Sequence, residues 1–224
     1  MIQTHFYHYL KQLEFGRLPG RQAQMRMSPT PLDPDFVLPR KPSDTAHPSS
    51  VLIPIYPDSN QNLHVVLTLR SDRIRHAGQI SFPGGRQENQ ESLEETALRE
   101  LHEEVGIPGT IVKTAGPITP LYLHRTDNQI TPYVGILDKK PKLIPNPIEV
   151  SEIVTAELDA LLSDRHKKRE QWDLSQSSFN VPYWDIHDVP LWGATAMIMS
   201  EFLEIYENFR QSEYYHNSEA TSSK

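Results

Sequence analysis

"GGRQENQESLEETALRELHEEVGI", Gly84–Ile107, crowds Arg99, Glu100, Glu103 and Glu104 into two helical turns where a helix should be packing its apolar side. Ser92-Leu93-Glu94-Glu95 has the S-x-x-E form of a capping box, so the helix is predicted to begin at Ser92. Gly106 supplies its stop. With about 100° per residue, Leu93, Ala97, Leu98, Leu101 and Val105 fall on the core side, and Glu95, Arg99 and His102 fall toward solvent. Glu104 projects between Leu93 and Ala97, and Glu100 lies beside Leu93. Two carboxylates one turn apart repel by a few tenths of a kcal/mol even in water. Half-buried, they cost more unless a cation sits between them. Acid-rich helices are usually just solvated faces. The wheel position of Glu100 and Glu104, with a glycine loop just upstream, favours a hard-cation cage of the kind Mg²⁺ occupies.

The rest of the chain predicts a mixed α/β domain. Phe6, Leu10 and Leu13 mark an amphipathic helix over 5–15. A proline-dense connector follows, "MSPTPLDPDFVLPRKPSDTAHPSS" (27–50), predicted to be irregular. "VLIPIYP" and "LHVVLTLR" read as two strands joined by "DSNQN", and "GQISFPGG" as a third strand ending in the glycine loop. "TIVKTAGPITPLYL" and "QITPYVGILD" supply further strands, and "KKPKLIPNP" reads as a loop. "EVSEIVTAELDALLSD" reads as a strand running into a short helix. "FNVPYWDIHDVP" is extended, and "LWGATAMIMSEFLEIYENFR" forms the last helix. The expected division is an N-terminal helix and extension (1–50), a main domain (51–210) and a frayed polar tail (211–224).

Bulk composition narrows the function classes. The 224 residues carry 37% hydrophobic and 23% charged side chains, which suits one soluble domain with extensions. A net charge of −7 argues against coating nucleic acid. An anionic ligand would need local cations or metal ions to approach. The absence of cysteine excludes disulfides, thiolate catalysis and thiolate zinc sites. "MIQTHFYHYLKQLEFG" lacks the basic-then-apolar order of a secretory signal, and no apolar run approaches the roughly 18 residues of a membrane span. A cytoplasmic location and no membrane partner are therefore expected.

The opening stretch resembles the signature box of the Nudix hydrolases, G-x5-E-x7-R-E-U-x-E-E-x-G-U, where U is bulky and aliphatic. Gly85, Glu91, Arg99, Glu100, Leu101, Glu103, Glu104, Gly106 and Ile107 fill every fixed position. With each of the seven polar or glycine positions at a background near 7%, chance agreement is on the order of one in 10⁸ per start point. The resemblance implies an α/β/α sandwich with a mixed sheet and a catalytic loop-helix after the glycine loop. It implies Mg²⁺ or Mn²⁺ held by Glu100, Glu104, Glu103 and the Gly85 carbonyl. Glu103 would be a further ligand or the base that deprotonates water, Arg99 would orient the glutamates, and Glu91 would fix the loop. The implied reaction is attack of water on a diphosphate.

A narrower resemblance covers "LTLRSDRIRHAGQISFPGGR" (67–86), which looks like the segment preceding the box in the coenzyme A diphosphatase branch. Leu67, Thr68, Arg70, Ser71, Arg75, Gly78, Phe82, Pro83, Gly84 and Gly85 match in order, with the Arg75–Gly78 interval one residue short. "LPGRQAQMRMSP" and "LWGATAMIMSEFL" are similar to the same branch. This implies cleavage of coenzyme A or acyl-coenzyme A to 3′,5′-ADP and (acyl-)4′-phosphopantetheine, with Arg70, Arg75 and Gly84 at the substrate. ADP-ribose, NADH or another nucleoside diphosphate derivative is the alternative substrate, and a non-catalytic nucleotide sensor the alternative class. Arg70, Arg73, Arg75 and His76 form a cationic segment suited to phosphate oxygens, or one that pairs with the box glutamates. Glu149 or Glu152 could add a carboxylate to the site or act as base; otherwise they are exposed acids at a strand end. Trp192 and Met197–Met199 read as core. The sequence leaves oligomeric state open, a homodimer included.

Overall fold

In the computed structural model, which describes residues 1–33, 45–73, 77–174 and 177–216, the chain opens with α1 (Ile2–Gln12), α2 (Gly20–Met25) and a two-residue strand β1 (Thr30–Pro31). The branched apolar runs then form β2 (His47–Pro57) and β3 (Leu63–Arg70), an antiparallel pair in register Ile55↔Val65. Two short strands, β4 (Ile80–Ser81) and β5 (Gly84–Arg86), lead into α3 (Leu93–Val105). Beyond it come β6 (Lys113–Pro117), β7 (Leu121–Leu123), β8 (Asn128–Ile136), β9 (Val150–Glu157) and α4 (Leu158–Leu162). A hairpin of β10 (Lys167–Leu174) and β11 (Ser177–Trp184) precedes α5 (Gly193–Arg210).

β2 and β8 run parallel at the centre of the main sheet, from His47↔Asn128 to Ile55↔Ile136. β3 pairs antiparallel with both β2 and β9, while β6 and β7 pair with β8. The sheet is therefore mixed. A separate three-stranded sheet has the order β1-β11-β10.

Alternation along β2 decides what covers each face, because successive side chains point to opposite sides. Leu52 and Tyr56, with Val66 of β3, pack against Ala97, Leu101 and Val105 of α3. Ile53 and Ile55, with Val65 and Leu67, belong to the larger core that holds Phe6 of α1 and Phe202, Tyr206 and Phe209 of α5. Phe6 lies edge-on to Phe202 at 6.0 Å and to Tyr206 at 5.5 Å. The result is an α/β/α sandwich, as the sequence predicts. The helix expected over 5–15 is thus part of the main core rather than an appendage.

Several predicted boundaries move. The first helix starts at Ile2 and ends at Gln12. The proline-dense connector is not wholly irregular, since β1 and the start of β2, Pro48 included, lie within it; its residues 34–44 lie outside the described residues. "GQISFPGG" makes two strands around Phe82-Pro83 rather than one. Trp192 is half-buried against Trp172 rather than core, whereas Met199 is fully buried. The tail predicted from Gln211 begins with packed residues: Tyr214 stacks edge-on against Tyr9, and Tyr215 against Phe209. Residues 217–224 lie outside the described residues.

Candidate active site

The capping box forms as predicted: the Glu95 N–H donates to Ser92 Oγ at 3.2 Å, and the Ser92 N–H donates to the Glu95 carboxylate at 2.7 Å. At the other end Gly106 takes a left-handed conformation, φ +73°, and its N–H closes on the His102 carbonyl. Upstream, β5 runs beside Ser49–Val51 of β2. A Cβ on Gly84 would strike the Ser50 carbonyl and the Val51 backbone, and one on Gly85 would overlap the Glu100 carboxylate. The paired glycines therefore let a strand lie directly against the acidic helix. Gly84, expected at the substrate, lies against β2, and its N–H donates to the Glu104 carboxylate.

Arg99 does not point to solvent as the wheel suggests. Its Nε and Nη2 grip the Glu91 carboxylate at 3.0 and 2.9 Å, and Nη1 donates to Glu100 and Glu103 at 2.9 and 2.8 Å. Nη2 also reaches the Arg86 carbonyl at 3.1 Å, so all five guanidinium donors are bonded. Glu91 accepts further hydrogen bonds from the Glu88 N–H and the Thr96 hydroxyl, both at 2.9 Å. The arginine contact, chiefly, holds the Glu91 carboxyl down at about 2. Thr96 is fully buried, a part of this loop lock that the sequence reading missed.

The carboxylates of Glu100, Glu104 and Glu149 converge, with one oxygen from each lying within 4.8 Å of the others. Glu104 is 2% exposed, and its Oε2 has no hydrogen-bond partner among the described residues. Burial pushes its carboxyl up to about 8; Glu100 and Glu149 push the same way, while Arg70 and the Gly84 N–H favour the charged form. Burial also raises Glu100, against the pull of Arg99. A buried, unsatisfied carboxylate oxygen facing two more acids fits a hard divalent cation, which takes oxygen ligands and cancels their repulsion.

Arg70 Nη1 lies 3.9 Å from Glu104 Oε1, at the end of β3 where the pairing with β9 slips by a residue. Arg73 is exposed, and Arg75 and His76 lie outside the described residues. Glu103 does not join the cluster; it is half-exposed and tied to Arg99. Of the two downstream acids, Glu149 enters the site, whereas Glu152 is exposed and pairs with His187 Nε2 at 3.4 Å. Asn146, whose Nδ2 lies 3.4 Å from Glu149 Oε1, was also missed; its place between two prolines and three residues before an acid was the available signal.

Comparison with known proteins shows the family. Residues 46–176 match the NUDIX domain model, and the chain belongs to that family of hydrolases. It is 36% identical over 165 residues to the uncharacterized Nudix hydrolase NudL of Yersinia enterocolitica, covering 70% of this chain and 80% of that one. It is 31% identical over 184 residues to mitochondrial Nudix hydrolase 15 of Arabidopsis thaliana, covering 79% of this chain. The chain spans 62% of that relative's length and 52% of that of chloroplastic Nudix hydrolase 22 from the same plant. Among solved structures, the Nudix hydrolase RenU of M. smegmatis superposes with a TM-score of 0.52 at 18% identity, covering 73% of this chain and 87% of its own. That likeness is one of fold. Among the described residues, no helix is long and apolar enough to cross a membrane.

Proposed function

We propose that the chain hydrolyses the diphosphate linkage of coenzyme A or acyl-coenzyme A, in the presence of Mg²⁺ or Mn²⁺, to 3′,5′-ADP and (acyl-)4′-phosphopantetheine. The observation that carries the chemistry is the buried Oε2 of Glu104, without a partner among the described residues and facing Glu100 and Glu149. These three carboxylates would hold the ion, with Gly85 beside Glu100. A divalent ion supplies Lewis acidity toward phosphoryl oxygens and lowers the pKa of attacking water. Arg99 positions Glu100 and Glu103, and its donors are used on protein groups, so it orients acids and does not grip substrate. Glu103, half-exposed and paired with Arg99, would take the proton of the attacking water. Water adds to one phosphorus, the bridging P–O bond breaks, and two phosphomonoesters leave.

The choice of substrate is supported by the segment 67–86, which places Arg70 beside Glu104. A guanidinium there can fork onto phosphate oxygens that the acidic chain would otherwise repel. The test is product analysis on coenzyme A, ADP-ribose, NADH and 8-oxo-dGTP, each with and without Mg²⁺. Metal-dependent release of 3′,5′-ADP from coenzyme A, faster than turnover of the others, is expected. Preferential AMP release from ADP-ribose or NADH would move the assignment to those substrates. No metal-dependent turnover on any of the four would leave a nucleotide-binding module.

A further inference from the structure

Glu149 stands 45 positions after Glu104 on a different element, yet their carboxylates meet. Nothing in α3 compels this. The segment Ile144–Val150 does, through a hydrogen-bond pattern in which every N–H has an acceptor and the two prolines contribute none to satisfy. The Ile144 and Asn146 N–H groups donate to the Val105 and Glu104 carbonyls, both at 2.9 Å. Those carbonyls sit in the last turn of α3, where a helix leaves its acceptors unused. The segment therefore docks on the helix that carries the acids.

Asn146 then organises everything after it. Its carbonyl accepts the Glu149 and Val150 N–H groups at 3.0 and 2.8 Å. Its side-chain Oδ1 accepts the Ile148 N–H at 3.1 Å, and Nδ2 faces Glu149 Oε1 at 3.4 Å. Pro145 and Pro147 flank it, and a residue before proline is held out of the helical region, so little backbone freedom is lost in keeping this shape. From the other side, buried Ser71 closes the clamp: its N–H donates to the Glu149 carbonyl at 2.9 Å and its Oγ to the Ile148 carbonyl at 2.5 Å. Ser71 directly follows Arg70, so one clamp fixes the acid and the guanidinium together.

We propose that Asn146 is a positioning residue that holds the Glu149 carboxylate against Glu100 and Glu104, making the three-acid cluster as much a product of the Ile144–Val150 segment as of the helix. This rests on the metal-binding reading above. The restraint has a physical purpose. Three converging acids repel when no cation is bound, and a neutral amide can hold one of them in place without neutralising it.

Mn²⁺ binding to the full-length protein, followed by electron paramagnetic resonance without substrate, tests this independently of turnover. Asn146→Ala is expected to raise the Mn²⁺ dissociation constant about 10–100-fold, the range for groups that orient a ligand. In a Glu149→Gln background the same substitution should add little, because Asn146 acts through Glu149. Equal losses in both backgrounds, or wild-type affinity in Asn146→Ala, would overturn the assignment. Should the alanine variant fail to fold, Asn146→Ser keeps an acceptor for the Ile148 N–H but cannot reach Glu149, and the same coupling is read from it. Glu104→Gln separates the two readings. If it binds Mn²⁺ as tightly as wild type, the metal site itself falls and this inference with it. If it loses Mn²⁺ while Asn146→Ala couples to nothing, the inference alone falls.

Discussion

Glu104 concentrates the competing forces of the site. Replacing it with Gln keeps the shape and removes the charge, so the fold should persist while metal-dependent turnover drops by more than about 100-fold, beyond the usual cost of disturbing a ligand's neighbour. Circular dichroism beside a product assay checks both halves. Without metal, the same residue gives stability a pH slope. Its folded carboxyl titrates near 8 against an ordinary 4.5, so between those values the folded chain keeps a proton that the unfolded chain has lost. The stability this proton contributes is whole below pH 4.5 and gone once pH has risen through about 8, a difference on the order of a few kcal/mol. Urea denaturation in EDTA at pH 5 and 8 should show the decline, and Glu104→Gln should flatten it. The helical wheel foresaw that burial, because Cα position alone decides it for a residue beside Ala97 and Leu101. It misplaced Arg99, because a wheel ignores the reach of a long side chain that folds back across its own helix. Nor could the sequence choose between Glu149 and Glu152, because three residues of spacing near a strand end do not say which one meets the acids of α3.

At the level of elements, α3 is fixed by its two ends. Ser92→Ala removes the acceptor for the Glu95 N–H and should cost about 1 kcal/mol. Gly106→Ala should cost about 1–2 kcal/mol, since the left-handed backbone disfavours a Cβ and the new atom would lie 3.0 Å from Ile144. Urea midpoints measure both. The alanine at 106 should also loosen the segment that carries Glu149, so its loss of Mn²⁺ affinity should exceed that of Ser92→Ala. Both caps were legible because each is a local pattern of two or three residues. β10 was not, because "KKREQWDL" exposes nearly all its side chains and pairs only within a hairpin and its small sheet, leaving no apolar alternation to read. The break between β4 and β5 was hidden for a related reason: Phe82 is buried like a strand residue, yet the chain turns there.

Across the whole molecule, the segment matching the family model leaves out part of the core. Residues 46–176 contain the acidic site but lack α1 and α5, which cover the face of the sheet opposite α3. A fragment of that length should be protease-sensitive and lack a cooperative melt, whereas the full chain should show one. Phe6→Ala tests the same dependence more gently. It empties a fully buried position between three aromatic rings of α5 and should cost about 3–5 kcal/mol. The sandwich could be anticipated from strands on both sides of a central helix. Which helices close the second face could not, because their apolar stripes fit any sheet, and only three-dimensional packing tells Phe6 where Phe202 will be.

The parallel pairing of β2 and β8 also sets the order of events on the ribosome. His47 must wait for Asn128, 81 residues later, before its strand finds that neighbour, a delay of about 4–16 s at 5–20 residues per second. By the end of that interval Glu100 and Glu104 have been made without the completed sheet beneath them, and Glu149 has not been made. A nascent chain released early would carry the family's most recognisable stretch of sequence and lack one of the three acids that meet beside it.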